Sequence, residues 1–264
     1  MALRLKPYKM IDIQNQKDTR NIDIEKVGVK NIKYPLIVLD RARGTQPVNA
    51  SINMYVNLPR HFKGTHMSRF VEVLNEFQGQ ISIKTFRDIL EKIRHKLHAQ
   101  SAHMEIEFPY FIEKTAPVSQ AKSLMEYRCL FAGENSAEKT DFLVGVTVPV
   151  TTVCPCSREI SKFGAHNQRG MVNIKVRFNK FFWIEDIIKI VEESASGEVY
   201  SLLKRTDEKY VTEKAYENPK FVEDIVRGVA VKLNEDENFV WYSIEAENFE
   251  SIHNHSAYAY LEKG

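Results

Sequence analysis

The chain has 264 residues, of which 43% are hydrophobic and 27% charged, a balance typical of a folded globular protein rather than a disordered one. The formal net charge of +2 gives no overall basic field, so nucleic acid is not expected as a partner. The longest apolar stretch, around residues 142–150, is too short to cross a bilayer, and no membrane association is expected. Residues 1–23 are expected to form a polar lead-in without a secretory signal, which favours a cytoplasmic location.

The chain contains three cysteines, Cys129, Cys154 and Cys156. An odd and small number of cysteines argues against a disulfide framework and fits a reducing compartment. Cys154 and Cys156 flank Pro155, and a disulfide across a single proline would close a very tight, strained ring. The pair therefore indicates chemistry rather than a structural crosslink.

The periodicity of apolar residues predicts the same order of elements twice along the chain. In the first half, the predicted strands and helices alternate in pairs: strands at residues 27–40 and 48–58, helices at 67–77 and 84–99, and strands at 103–112 and 124–131. The second of these helices carries apolar residues at the 3.6-residue spacing of a buried helix face. This half is therefore predicted to be a ββααββ module over residues 24–136.

The second half is predicted to repeat the pattern over residues 137–264. Its elements are strands at 142–153 and 171–178, a helix at 184–203, a helix that begins near Pro219 with Asn218 as N-cap, and strands at 239–246 and 257–261. The simplest architecture for such a chain is an α+β fold in which antiparallel sheets carry helix pairs packed on one face.

The strongest indication of a functional site is the run PVTTVCPCSREISKFGAHNQRG at residues 149–170. A predicted strand leads into a tight Cys-Pro-Cys-Ser turn at Cys154, and His166 follows on a loop that contains Gly164. Thiolate and imidazole are ligands that zinc prefers, and a site with few protein ligands leaves room for water and substrate. The plainer alternative is a buried cysteine and an ordinary hydrogen-bonding histidine, and spacing alone does not decide between the two.

A second polar cluster lies at residues 204–210. It offers Glu208 as an oxygen ligand and Lys204 and Arg205 as phosphate contacts, although a solvated loop between two helices would have the same composition. Glu223 is a further candidate from the start of the last predicted helix. A carboxylate near a helix N-terminus is also favourable without any functional role.

The last polar cluster contains His253 and His255. If the segment is extended, both side chains point to the same side. A histidine pair can transfer protons near neutral pH, whereas a surface turn is the plainer alternative.

The run PVTTVCPCSREISKFGAHNQRG resembles the signature of the type IB GTP cyclohydrolases, the prokaryotic class. The runs LLKRTDEKYVTEKAYENPKFVEDIVR and FESIHNHSAYAY are similar to the same family, and the resemblance covers nearly all of the chain from about residue 27. It implies a tunnelling fold of tandem modules and a homo-oligomer, with a tetramer as the expected form. The implied reaction converts GTP and water to formate and 7,8-dihydroneopterin triphosphate, the first step of tetrahydrofolate biosynthesis.

The resemblance also implies a set of metal ligands. Carried over by position, Cys154, His166 and Glu208 match the metal-site residues of the family, while Cys156 is expected beside the site rather than on the metal. The implied cofactor is a divalent metal. Zinc, manganese and ferrous iron all suit one thiolate, one imidazole and one carboxylate.

The remaining site residues would act on the substrate. Glu223 matches the carboxylate that anchors the guanine edge, and His253 and His255 match a histidine pair assigned to proton transfer. The triphosphate needs cationic partners. The candidates by charge and neighbourhood are Arg169, Lys204 and Arg205, with Arg158, Lys162 and Lys209 as further possibilities.

Three other functions fit parts of the same pattern. An archaeal-type cyclohydrolase would make a cyclic phosphate product. A tunnelling-fold nitrile reductase would use a cysteine nucleophile with NADPH, and the run QAKSL at residues 120–124 is similar to part of its cofactor motif, with Gln120 in place of a glutamate. A non-catalytic, metal-stabilised binding protein would bind metal without turnover.

Overall fold

The computed structural model describes residue 14, residues 16–77 and residues 83–264. Of the predicted lead-in at residues 1–23, residues 1–13 and residue 15 lie outside the described residues. None of the helices in the described part of the chain combines the length and apolar character needed to span a bilayer.

The described residues form six helices and nine strands. In chain order they are β1 (Ile24–Asp40), β2 (Gly44–Leu58), α1 (Met67–Glu76), α2 (Ile83–Lys96), β3 (Ser101–Thr115), β4 (Lys122–Ser136), β5 (Thr140–Val153), α3 (Pro155–Ile160), β6 (Asn167–Phe178), α4 (Ile184–Glu192), β7 (Gly197–Glu198), α5 (Arg205–Glu217), α6 (Val222–Asn234), β8 (Phe239–Asn248) and β9 (Ala257–Lys263). The hydrogen-bonded strand order is β1-β2-β3-β4-β5-β6-β8-β9, with β7 paired to β5. The predicted α+β class with antiparallel strands is confirmed. The strands form one nine-stranded sheet, and the tandem ββααββ modules stay a prediction.

The strands predicted from alternation are all present, with ends that shift by a few residues. Alternation is informative here because one face of each strand is buried: in β2, every second residue from Gln46 to Leu58 is buried. The first two predicted helices are also found, as α1 and α2. Both helices carry apolar residues at the spacing of a buried helix face, which is why the sequence predicts them.

The chain divides into two compact units. The first comprises the described part of Met1–Ile32 together with Ile52–Met104 and Gly133–Asp141; the second comprises Lys33–Ser51, Glu105–Ala132 and Phe142–Gly264. The predicted module boundaries at residues 24–136 and 137–264 stay a prediction. In the first unit, α1 packs against α2, and Phe70, Leu74, Phe86 and Ile89 are fully buried.

In the second unit, α6 packs on β8 and β9 and also contacts α4. The helix contributes Ile225, Val229 and Leu233 to the core, and β6 contributes Val172 and Ile174 from the facing sheet. These side chains are almost completely buried, and burial of an aliphatic side chain of this size stabilises a fold by about 1.5–3 kcal/mol. The packing holds the start of α6 beside the ends of β5, β6 and β8.

The predicted helix at residues 184–203 is wrong beyond Glu192, where α4 ends. Small residues follow and let the chain approach β5 closely: Gly197 pairs with Thr151 in β7, and Ser196 Oγ accepts a hydrogen bond from Val153 N at 3.1 Å. Apolar residues after this point kept the helical spacing in the sequence, but the small residues are buried against a strand. Tertiary contact therefore overrides the local pattern.

The loop alternative for residues 204–210 is also wrong, because Arg205 begins helix α5. Asn218 is not an N-cap; it follows the end of α5, and its Nδ2 donates to Ala195 O at 2.9 Å. Helix α6 begins three residues after Pro219, where Asp224 Oδ2 accepts a hydrogen bond from Phe221 N at 2.9 Å. The carboxylate thus fixes the start of α6, since it satisfies a backbone donor that the helix leaves free.

Asp207 fixes the first turn of α5. Its buried carboxylate accepts hydrogen bonds from Val118 N (2.9 Å), Ser119 N (2.8 Å), Ser119 Oγ (2.6 Å) and Lys204 N (2.8 Å). Burial by itself raises the pKa of this carboxyl group, but the donors from Ser119, Lys204 and Val118 outweigh it and hold the pKa well below its usual range. The β3–β4 connection and α5 are therefore joined through one ionised side chain.

We expect Asp207→Asn to lower the melting temperature by several degrees at pH 7, because the amide turns an NH2 group toward donors that need an acceptor. A depressed folded-state pKa contributes stability that is complete above the unfolded value, about 3.9 for aspartate, and is lost as the pH falls below it. The difference in free energy of unfolding between wild type and variant, measured by denaturant unfolding, should therefore be smaller at pH 3 than at pH 7. Asp88→Asn, at an exposed position of α2, is the control. An equal difference in unfolding free energy at both pH values would contradict the stabilising role of the ionised Asp207 carboxylate.

Candidate active site

The helix-facing side of the sheet changes from apolar to polar at one end of β5, β6 and β8. Side chains alternate between the two faces of a strand, so residues two apart lie on the same face. Along this buried face the apolar rows end in polar residues. The rows are Val148, Val150 and Thr152 of β5, followed by Cys154; Val172, Gly170 and Gln168 of β6, preceded by His166; and Ile244, Ala246 and Asn248 of β8. A polar end to a buried sheet face is where a site can form without disrupting the core.

Cys154 and His166 lie side by side where β5 ends and β6 begins. Cys154 N donates to His166 O at 3.2 Å, next to the paired residues Val153 and Asn167. Ser157 contacts both: its N donates to Cys154 Sγ at 3.4 Å, and its Oγ accepts from His166 N at 3.2 Å. The structure therefore brings together the two residues on which the metal prediction mainly rests.

The predicted Cys-Pro-Cys-Ser turn is a short helix, α3, that follows Cys154 directly. Pro155 occupies its first position, where the missing N–H costs nothing because the first backbone donors of a helix have no intrahelical partner. Cys156 lies on α3 and is exposed, whereas Cys154 is partly buried. The two thiols therefore lie in different environments.

Gln168 orients the His166 ring. Its Oε1 lies 3.0 Å from His166 Nδ1, and the side chain is buried with 7% of its surface exposed. With the amide oxygen facing the ring, Nδ1 donates, and Nε2 of the neutral ring keeps its lone pair. The contact leaves the second ring nitrogen available to a metal or a proton donor.

A pocket of about 220 Å³ opens at this polar end of the sheet. It is lined by Cys154, Gln168, Lys220, Phe221, Val222, Glu223, Asn248, Glu250, Ala257 and Tyr258. Lys220 N donates to Val153 O at 3.1 Å, which holds the chain before α6 against the end of β5. Glu223, in the first turn of α6, consequently faces the same pocket as Cys154.

The histidine pair lies between β8 and β9, and both side chains are exposed. The rings of His253 and His255 stack with centroids 5.1 Å apart, and His253 Nε2 is 3.4 Å from Glu250 Oε2. Neither ring lines the pocket in the described chain, but Glu250 does. The structure thus connects the pair to the pocket through one carboxylate.

The other predicted residues lie elsewhere. Glu208, Lys204 and Arg205 are exposed at the start of α5. Arg169 lies between Gln168 and Gly170 on β6, so its side chain points to the opposite face of the sheet. None of these four is among the residues that line the pocket.

The donor chemistry of Cys154 and His166 fits a soft or borderline divalent cation. Among the described residues, however, no three His, Cys, Asp or Glu side chains form a group that could hold a metal ion. Glu208 is not brought to the other two, so its role as a ligand stays a prediction.

Sequence reasoning missed five of the polar residues that line the pocket: Gln168, Lys220, Asn248, Glu250 and Tyr258. Two of them carried a usable signal, because Gln168 and Asn248 stand where the alternation of β6 and β8 places a core residue. A polar residue at an expected core position suggests a site. Lys220 and Tyr258 follow from tertiary packing and had no local signal.

Residues 10–259 match the family described as type I GTP cyclohydrolase FolE2. The chain is 74% identical over 254 residues to a protein of Syntrophus aciditrophicus named GTP cyclohydrolase FolE2, which covers 96% of this chain and 100% of that relative. A protein of the same name from Citrifermentans bemidjiense is 58% identical over 259 residues, covering 98% of this chain and 97% of the relative. These proteins place the chain in the class of GTP cyclohydrolases.

The chain belongs to the type I GTP cyclohydrolase FolE2 family. The resemblance to GTP cyclohydrolases seen in the sequence is confirmed. The family description names type I and FolE2 and does not include the type IB subclass.

Solved structures of low sequence identity share the fold. Urate oxidase from Bacillus subtilis 168 aligns with a TM-score of 0.53 at 9% identity, covering 90% of this chain and 98% of that protein. A mutant urate oxidase from Bacillus sp. TB-90 aligns with a TM-score of 0.54 at 8% identity, covering 91% and 99%. At such identities the likeness concerns the α+β architecture alone.

We expect metal-free protein to hold neutral His166 in the Nδ1–H tautomer, and Gln168→Leu to lose that preference because the acceptor is gone. The measurement is long-range nitrogen–proton correlation NMR at about pH 8.5. Gln168→Glu retains an acceptor oxygen and should keep the wild-type tautomer. The same tautomer in wild type and Gln168→Leu would show that Gln168 does not orient the ring.

Proposed function

We propose that the chain hydrolyses GTP to formate and 7,8-dihydroneopterin triphosphate, in the first step of tetrahydrofolate biosynthesis. The observation that carries the proposal is a single pocket lined by both Cys154 and Glu223 in a chain of the FolE2 family. High identity to relatives named GTP cyclohydrolase FolE2, over nearly the whole of both chains, supports it.

Glu223 would bind the guanine base. Guanine presents its N1–H and 2-amino groups as donors on one edge, and a carboxylate offers two acceptor oxygens that can pair with both. Glu223 lines the pocket from the first turn of α6, and its side chain is accessible. The base would then lie with its imidazole ring directed away from Glu223, so that water can reach C8.

The proposal includes a divalent metal, with zinc, manganese or ferrous iron as candidates. Cys154 and His166 would hold it, and Glu208 is the proposed third ligand. When bound, such a cation supplies the Lewis acidity that makes water nucleophilic near neutral pH. The Gln168 contact would contribute by keeping His166 Nε2 unprotonated and oriented.

Ring opening, formate release and closure of the new ring require repeated proton transfers. Glu250 is in contact with both the pocket and His253, and His255 stacks on His253. We therefore assign Glu250 and the two histidines to proton transfer between the pocket and solvent. The rings are exposed, so protons can exchange with water at their outer side.

Several finer points belong to the same proposal. The triphosphate would contact Lys220 at the pocket, with Arg169, Lys204 and Arg205 as the cations proposed from the sequence. We also propose the type IB subclass, the tunnelling fold with tandem ββααββ modules, a homotetramer and a cytoplasmic location. These follow from the sequence resemblance and composition.

We expect metal-stripped protein to release neither formate nor pterin from GTP, and to release both when zinc, manganese or ferrous iron is added. Cys154→Ala and His166→Ala should lower the rate by about 100-fold or more, because each removes a metal ligand. Formate and pterin are measured separately, and the phosphate form of the pterin distinguishes a linear triphosphate from a cyclic phosphate.

Matched controls isolate the site. His95→Ala removes an exposed histidine of α2 and should leave the rate unchanged, while Glu208→Gln is compared with Glu213→Gln on the same helix. Only Glu208→Gln should weaken the response to added metal. No release with any metal, from protein shown to be folded by circular dichroism, would contradict the function. Full activity in Cys154→Ala would contradict the site.

A further inference from the structure

Asn248 is a buried carboxamide in the pocket. It is the last residue of β8, only 2% of its surface is exposed, and it lines the pocket together with Cys154 and Glu223. Its backbone is held on both sides, because β8 pairs Asn248 with Gly170 of β6 and with Ala257 of β9. The position of the side chain is therefore determined by the sheet.

The carboxamide oxygen has no hydrogen-bond partner among the described residues, although it is fully buried. Burying an amide oxygen without a partner is unfavourable, and in folded proteins most such groups are paired with protein, water or ligand. Rotation of the carboxamide by 180° would exchange the positions of its oxygen and its NH2 group. The pocket thus contains a polar group whose partner is not supplied by the described chain.

Gly170 makes the space that this side chain occupies. A Cβ atom at Gly170 would lie 2.5 Å from Asn248 Oδ1, far closer than two such atoms can approach. The positive-φ glycines of the described residues are Gly44 and Gly164, so backbone conformation does not require glycine at position 170. Glycine inside a strand weakens the strand, and it commonly marks a place where another group approaches closely. Glycine at position 170 therefore leaves room for the carboxamide of Asn248 and for the side chain of Val150.

We propose that Asn248 is a second purine-recognition residue that complements Glu223. Guanine carries the O6 and N7 acceptors as well as its donors. A carboxylate cannot donate to these acceptors, whereas the NH2 group of a carboxamide can. Asn248 would donate to the acceptor edge of the base while Glu223 accepts from its N1–H and amino groups. This inference rests on the proposed function, because it takes guanine as the ligand.

The test compares Asn248→Leu with wild type in the metal-loaded enzyme. We expect the KM for GTP to rise about tenfold, the value of one good hydrogen bond in an equilibrium constant, with a smaller change in kcat. The melting temperature of the ligand-free protein should stay the same or rise, since leucine has a similar size and removes an unpartnered amide. Gly170→Ala should raise the KM as well, because the added methyl group displaces the carboxamide.

Competition by ITP separates the two recognition residues. ITP retains O6 and N7 but lacks the 2-amino group. Asn248→Leu should therefore weaken the binding of GTP and of ITP by the same factor. Glu223→Gln should instead reduce the difference in affinity between GTP and ITP, because the variant loses the acceptor for the 2-amino group of GTP.

Gln46→Leu is the matched control for a buried amide. Gln46 is also buried, but its amide is fully bonded: Nε2 donates to Asp40 Oδ2 and Phe111 O, and Oε1 accepts from Phe111 N. This variant should lower the melting temperature and leave the KM unchanged.

Two failures are distinguishable. If wild type turns over GTP while Asn248→Leu shows a lower melting temperature and an unchanged KM, Asn248 is a structural residue and only this inference is overturned. If wild type turns over no GTP with any of the three metals, the proposed function is overturned and the inference with it.

Discussion

The antiparallel pairing of β5 with β6 is the constraint on which the site depends. Its register places Thr152 opposite Gln168 and Val153 opposite Asn167, so that Cys154 and His166 meet through a backbone hydrogen bond at the strand ends. A shift by one residue would turn His166 and Gln168 to the opposite face of the sheet. The apolar rows on the same face oppose such a shift, because they would lose their burial. The hydrophobic core therefore sets the position of the polar site.

The second constraint is the position of α6. The bond from Lys220 N to Val153 O holds the preceding chain on β5, and Asp224 fixes where the helix begins. Glu223 reaches the pocket only because both conditions hold. The pocket is consequently built from the ends of four strands, β5, β6, β8 and β9, and from the start of α6, all within the second compact unit. Buried polar side chains such as Gln168 and Asn248 weaken the core at this end, a cost that natural proteins accept where function requires it.

The sequence predicted most of the fold because one face of each long strand is buried, and alternation reports this directly. It failed at Ala195 to Gly197, where small residues pack on β5, and at residues 205–217, where a polar helix has no apolar stripe to reveal it. Cys154 and His166 were found because unusual residue types stand close together in the chain. Asn248 carried a local signal, as a polar residue at a core position of β8, but its contact with Gly170 joins two strands and could not be predicted from the local pattern. Whether Glu208 joins the two ligands is a question of tertiary position that local pattern does not address.

The central claim is that the polar end of the β5–β6–β8 face binds the metal and the purine together. The most direct test is a crystal structure with zinc and a GTP analogue that resists hydrolysis at C8. The anomalous signal locates the zinc, and the electron density locates the base. We expect zinc about 2.3 Å from Cys154 Sγ and about 2.0–2.1 Å from a ring nitrogen of His166, with the base between Glu223 and Asn248. Zinc remote from Cys154, or a base bound outside this pocket, would contradict the account.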